Sequence, residues 1–337
     1  MSWTLGLLAL TWFGMYGTAH EIGRRREEPW HWQIAWVFAT IAWGITLVAI
    51  TELLSLLVML RRDALLVAWS IALLAAGGLY LRLRTRRLGW ASPQLPRDVT
   101  GADPAILTLL TLLIMIMLTL ALVALAYAPN TWDSMTYHLS RVMHWQQNAS
   151  VAHYATNIDR QIQMPPFAEF VILHLDTLSG NDRWANMVQW FAMVGCAVGV
   201  TQIARRLGAS AREQVAAALL TSAIPVGVTQ ATSTQNDYVV ALWMVCAVAM
   251  AIELLRSGGA WLYGGGLGLA LGLAILTKGT AMVLAVPLAL IVGGALVWHL
   301  RAAALARGAL IAVLALAVPA GHLHVINHSM ARQLARL

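Results

Sequence analysis

Stretches of apolar residues long enough to cross a hydrocarbon core recur along almost the whole chain, and they leave it little choice of fold class. A helical crossing takes about 20 residues. The candidate segments are roughly 2–18, 30–59, 64–81, 105–128, 185–204, 213–231, 237–255, 260–276, 279–298 and 308–326. In hydrocarbon each backbone polar group must be satisfied within its own segment, which selects helices. Charged residues make up only 11% of the chain, against about a quarter in a soluble domain. The expectation is an all-α, polytopic transmembrane helix bundle of about ten spans. Segment 30–59 is long enough to be tilted or broken. The first span lacks a basic leader and reads as a retained anchor rather than a cleaved signal.

The formal charge of +7 sets orientation rather than a nucleic-acid partner. Arginine collects in short connections: Arg24, Arg25 and Arg26; Arg82, Arg84, Arg86, Arg87 and Arg97; Arg205, Arg206 and Arg212; Arg256; Arg301 and Arg307. If the spans alternate, these all fall on one side, which the positive-inside rule makes cytoplasmic. The N-terminus and the long loop 129–184 then lie outside. Arg61 and Arg62 fall on the wrong side, which leaves the first three spans least constrained. Segment 82–104, with Pro93, Pro96 and Pro104, reads as a cytoplasmic linker. It divides the chain into N-terminal spans with linker (1–104), a core (105–326) and a tail (327–337). Cys196 and Cys246 each sit inside a span as small apolar fillers. Gly264, Gly268 and Gly272 recur every four residues and mark a close helix contact.

Ionisable groups near membrane depth are expensive and are functional candidates by default. Asp133 follows the apolar segment 105–128 in the run Thr131-Trp-Asp-Ser-Met-Thr-Tyr-His138. It reads either as a helix N-cap or as a carboxylate that takes a proton from an acceptor hydroxyl or binds a metal. Asp237 opens a later span and admits the same two readings. Lys278, the only lysine in the chain, sits between two spans. It is either an interfacial lysine that snorkels to water or a cation that neutralises a leaving phosphate. Arg141 and Arg160 are candidates for the same phosphate role.

From Asp133 to about Gln147, Met135, Leu139, Val142 and Met143 fill one arc of a helix. Asp133, Tyr137, Arg141 and His144 fill the other, the pattern of a helix lying along the membrane surface. Tyr137 and its neighbour His138 are therefore further substrate-contact candidates. His138, His144, His153 and His174 make the loop histidine-rich without a compact metal-ligand spacing. Hydrogen-bonded interfacial histidines are the expected reading. A second short helix is expected after Met164-Pro-Pro166.

These motifs carry a resemblance. In order and spacing the chain resembles the polytopic GT-C glycosyltransferases, in particular the group of protein O-mannosyltransferases and the lipid A aminoarabinose transferase. The matching features are Asp133 at the start of the first large external loop, Pro165-Pro166 late in it, Asp237 opening a later span, and Thr277-Lys-Gly279 entering an apolar helix. Together they cover roughly residues 105–325. The resemblance implies a GT-C-like bundle with interfacial helices in that loop. It also implies a polyprenyl-phosphate-linked sugar donor and inverting transfer at the extracytoplasmic face. Asp133 becomes the essential loop carboxylate and Asp237 a second site acid. Two departures stand out. Many relatives carry a second acid where this chain has Ser134, and an acid–lysine pair before the proline is replaced by Gln163-Met164.

The function expected is therefore transfer of a sugar to a glycan, lipid or protein acceptor. The expected location is a bacterial inner membrane, with the site facing the periplasm. Membrane lipid is the expected surrounding, and a divalent metal cation is the one cofactor considered, with no ligands assigned. The competing class is a transporter or flippase of a lipid-linked substrate. Relatives continue beyond this C-terminus, so a truncated, non-catalytic member is the other alternative.

Overall fold

The computed structural model describes residues 3–26, 30–85, 103–300 and 302–334. Every regular element among them is helical. The order is α1 (Trp3–Arg24), α2 (Trp32–Leu56), α3 (Arg62–Thr85), α4 (Pro104–Ala126), a π-helical turn (Ser134–His138), α5 (Leu139–Asn148), α6 (Arg160–Gln163) and α7 (Phe167–Ser179). It continues with α8 (Met187–Arg206), α9 (Ala211–Ser222), α10 (Pro225–Gln230), α11 (Asp237–Arg256), α12 (Trp261–Thr277), α13 (Ala281–Leu300) and α14 (Ala302–Leu334).

Among the described residues six stretches are long and apolar enough to cross a membrane: α2, α3, α4, α8, α11 and residues 281–298 of α13. The apolar helices of α12 and of 306–322 within α14 are shorter. The long segment expected at 30–59 is one unbroken helix, α2. The span expected at 213–231 is not. It divides after Ser222 into α9 and α10, and Pro225 opens α10 at its first position, where it has no N–H to bond back into α9. At 1.5 Å per residue neither piece alone spans about 30 Å of hydrocarbon. Most of the expected linker 82–104 lies outside the described residues. At its end Asp103 caps α4 by accepting from the Ala105 N–H at 2.9 Å, with Pro104 at the first helical position.

Side-chain bonds between distant helices identify the two ends of the bundle. At one end Arg25 donates to the Leu83 carbonyl, Arg205 donates to Gln33 at 3.0 Å, and Arg206 pairs with Glu253. Arg26 lies over Trp30 and Tyr263, and Arg307 lies over Trp261. The described arginines of these connections thus gather at one end, as alternating spans require. At the other end Thr4 donates to the Leu178 carbonyl, Ser55 bonds Ser150, and the Leu60 N–H bonds the Ala149 carbonyl. Arg61 and Arg62, beside Leu60, are at this second end with loop 129–184.

Helix α7 is not a surface helix. Nearly all of its residues are buried, and it packs against α1, α2, α3, α5, α8 and α12. His174 pins it. Trp69 Nε1 of α3 donates to Nδ1 at 3.0 Å, so Nε2 carries the proton and donates to Thr51 of α2, also at 3.0 Å. Burial drives the His174 pKa down to about 3, and both ring nitrogens are occupied. It is a structural histidine.

The glycine repeat is a packing seam between α12 and α14. A Cβ on Gly268 would lie 2.8 Å from the Ile311 carbonyl oxygen, and one on Gly272 would lie 2.9 Å from Val318 Cβ. Gly265, on the next face, has nothing nearer than 3.9 Å. Because the obstacle at Gly268 is backbone, Gly268→Val should cost about 1–3 kcal/mol of overpacking, while Gly265→Ala should leave the melting temperature of the detergent-solubilised protein unchanged or raised. Equal melting of the two variants would rule out the seam as a determinant of stability.

Candidate functional site

All the candidate residues lie at the end opposite the arginine clusters, where loop 129–184 meets the starts of α11 and α13. Two of them open helices, so the first question is whether their carboxylates are spent on capping. Helix α11 begins at Asp237, and its first orphan N–H groups are met from another helix. Gln189 Oε1 of α8 accepts from the Tyr238 and Val239 N–H groups at 2.8 and 3.2 Å. Asp237 is thereby released, and its Oδ1 lies 2.6 Å from Lys278 Nζ. Asp133 makes no capping bond either. The Ser134 N–H is taken by Thr131 Oγ1 at 3.2 Å, and Asp133 Oδ1 accepts from Arg160 Nη1 at 3.2 Å. Both acids are in partly exposed ion pairs rather than caps, with side-chain exposures of 30% for Asp133 and 43% for Asp237.

A short polar chain joins the two pairs. Thr234, three residues before Asp237, donates to Ser134 Oγ at 2.5 Å, and Ser134 also bonds Thr131. Asn236 donates to the Thr277 carbonyl at 3.3 Å, immediately before Lys278. Ser134 and Thr234 are fully buried. Ser134, which replaces an acid of the resembled family, is therefore the junction that ties the loop to the entry of α11. A carboxylate there would be buried against Thr131 and Thr234.

Burial corrects the assignment of Arg141 and Tyr137 to a wet face, and their neighbour His138 is buried with them. The helix after Asp133 starts with a π turn, which shifts the phase of everything that follows it. Tyr137, His138 and Arg141 point into the protein, with exposures of 8%, 0% and 1%, whereas Met135 and Met143 are more than half exposed. The apolar methionines therefore face outward, and the polar residues expected to face water face the core.

What they meet there is Glu169, a fully buried acid in the first turn of α7. Its Oε1 accepts from His138 Nδ1 at 2.8 Å and from Arg141 Nη1 at 3.3 Å. The other Arg141 donors go to the carbonyls of Gln161, Arg160 and Met164, each at 2.9 Å. Burial alone pushes the Glu169 carboxyl up, but Arg141 and His138 outweigh it and hold the group below the usual carboxylate range. Four of the five Arg141 N–H groups are used, and at 1% exposure the guanidinium is buried away from a phosphate approaching from water. Arg160 is not: it is 57% exposed and bonds only through Nη1 to Asp133 among the described residues. Tyr137 stays a neutral phenol, because burial and then the charges of Glu169 and Asp133 push its pKa up.

Among the described residues no three metal-ligating side chains converge. His138 is committed to Glu169, His174 to α2 and α3, and Asp133 and Asp237 each to a cation. Glu169 and Gln189 organise this site but are not apparent in the sequence. The only hint at Glu169 is an acid inside the apolar run Phe167-Ala-Glu-Phe-Val-Ile-Leu. Gln189 carries none.

Residues 163–324 match the dolichyl-phosphate-mannose-protein mannosyltransferase family. No curated protein and no solved structure matches the chain. The match runs from Gln163 through α7, Asp237 and Lys278 into α14, and it starts after Asp133, Arg141 and Arg160. Together with the apolar helices, it supports a multi-pass membrane glycosyltransferase of the GT-C, mannosyltransferase type.

One neighbouring group reports on the packing of this region. Asp176 of α7 is buried, and burial, with the Asp182 charge adding to it, pushes its pKa up to about 8. An unfolded aspartate titrates near about 4, so the folded state holds the extra proton between those values. Stability therefore falls as pH rises from about 4 to about 8. Asp176→Asn should remove most of this fall, measured as the change in melting temperature between about pH 5 and about pH 9. An Asn variant with the wild-type slope would show that Asp176 is not the titrating group.

Proposed function

We propose, from the premise that the chain is a GT-C type membrane glycosyltransferase, that it moves a hexose from a polyprenyl-phosphate donor to an acceptor hydroxyl at the extracytoplasmic face. The observation that carries this reading is the pairing of two uncapped, partly exposed acids with two cations at one end of the bundle. In Asp133–Arg160 and Asp237–Lys278 each carboxylate holds a basic side chain toward water. A donor phosphate meets the needs of those cations.

In the proposed reaction the acceptor oxygen attacks the anomeric carbon. The bond from that carbon to the phosphate oxygen breaks, and the electron pair leaves with the polyprenyl phosphate. The acceptor proton passes to Asp133, whose exposure and hydrogen-bond reach suit a general base. Lys278 and Arg160 face the charge that grows on the leaving phosphate, where a positioned cation does most of its work. Asp237 orients Lys278. The anomeric centre inverts because attack and departure occur on opposite sides in one displacement. The chain's own cations answer the phosphate, and no step is routed through a metal. The position of the arginine clusters at the opposite end, which the positive-inside rule makes cytoplasmic, supports the extracytoplasmic placement.

Two measurements test the reading. Mass spectrometry of lipids retained through purification should find a polyprenyl phosphate, and Lys278→Ala with Arg160→Ala should lose it. Asp133→Asn should keep that lipid and lower turnover of a synthetic polyprenyl-phosphate hexose by about 100-fold or more. Wild-type turnover in Asp133→Asn would remove the assigned base, and retention of the lipid by the double variant would remove the phosphate contacts.

A further inference from the structure

At the arginine-rich end, far from the site just described, α1, α2 and α3 enclose an apolar groove of about 530 Å³. Ile22 of α1, Phe38 and Ala42 of α2, and Ala75 and Leu79 of α3 line it, with Trp30 at its end. The small side chains Ala42 and Ala75 are what leave it open. Trp30 forms a rigid wall: it stacks on Phe38 at 4.7 Å between ring centroids, and its Nε1 donates to Tyr263 at 2.8 Å.

On the face of this wall lies Arg26. Its guanidinium is 5.5 Å from the Trp30 ring centroid and 5.7 Å from that of Tyr263. Two aromatic faces hold it in place while it remains exposed, and among the described residues none of its guanidinium N–H groups is used in a hydrogen bond, the backbone N–H being taken by the Gly23 carbonyl. Arg25 beside it bonds the Leu83 carbonyl and closes α1 onto α3. Glu21 offsets part of the charge here, and Arg82 and Arg84 at the end of α3 restore the excess.

We infer that this groove binds one anionic phospholipid, with an acyl chain between α1, α2 and α3 and the headgroup phosphate on Arg26. An apolar slot alone would take any lipid. A fixed guanidinium whose donors have no partner among the described residues, at the mouth of the slot, selects an anionic one, because basic pockets between membrane helices on the cytoplasmic side favour such headgroups and a guanidinium matches phosphate oxygens in pairs. The inference is independent of the transfer reaction.

The test counts lipids bound to protein released from nanodiscs of equal phosphatidylglycerol and phosphatidylcholine content, by native mass spectrometry. Wild type should retain phosphatidylglycerol in preference. Ala42→Trp, which fills the slot, should lose one such lipid. Arg26→Gln, which leaves the slot open, should lower the preference about fivefold, the effect of one basic residue at an anionic surface. Leu122→Trp, on the exposed face of α4, should behave as wild type. Equal retention of the two lipids by wild type would overturn the proposal. So would an unchanged preference in Arg26→Gln, an unchanged count in Ala42→Trp, or a lipid-free dimer.

Discussion

A single carboxylate buried without access to water organises the end of the molecule where the candidate chemistry lies. Isolated, a charge at Glu169 would cost several kcal/mol. It is held by His138 from the π turn and by Arg141 from α5. Arg141 in turn binds three carbonyls across the Arg160–Met164 turn. The knot therefore fastens three separate stretches of the loop to α7. Since α7 is locked by His174 to α2 and α3, the N-terminal helices become part of the support for the loop. Removing Glu169 or Arg141 strands the other as a buried, unpaired charge.

The exposed ion pairs rest on that frame. Arg160 reaches Asp133 because the Arg160–Met164 turn is clamped by Arg141. Asp237 reaches Lys278 because Gln189 has already satisfied the start of α11. Each acid is free for chemistry only because some other group has taken over the task its position suggests. The two ends of the bundle thus divide their use of charge. At one end arginines meet carbonyls, amides, rings and Glu253. At the other, acids hold cations toward solvent.

The broad architecture was legible from composition and from apolar length, because hydrocarbon leaves the backbone few alternatives. The same holds for the gathering of arginines at one end and for the small-residue contact through Gly268. The match over residues 163–324 agrees with the family resemblance read from Asp237, Thr277-Lys-Gly279 and the Pro-Pro step. The face of the loop helix was not legible. Projection at 100° per residue assumes an α-helix throughout, and the π turn at Ser134–His138 breaks that assumption. It also assumes that polar residues seek water. His138 and Arg141 instead bond Glu169, which lies 31 and 28 residues away in sequence.

The break between α9 and α10 shows the same limit from another side, since hydropathy averaged across 213–231 passes over Pro225, which has no N–H to bond back into α9. What the residues determined by themselves is a helical membrane chain, its charge asymmetry, and a short set of acids and cations at one face. Tertiary structure alone decided which of those groups are free. Capping, burial and pairing depend on partners such as Gln189, Glu169 and Thr234, and these are brought near only when distant helices pack.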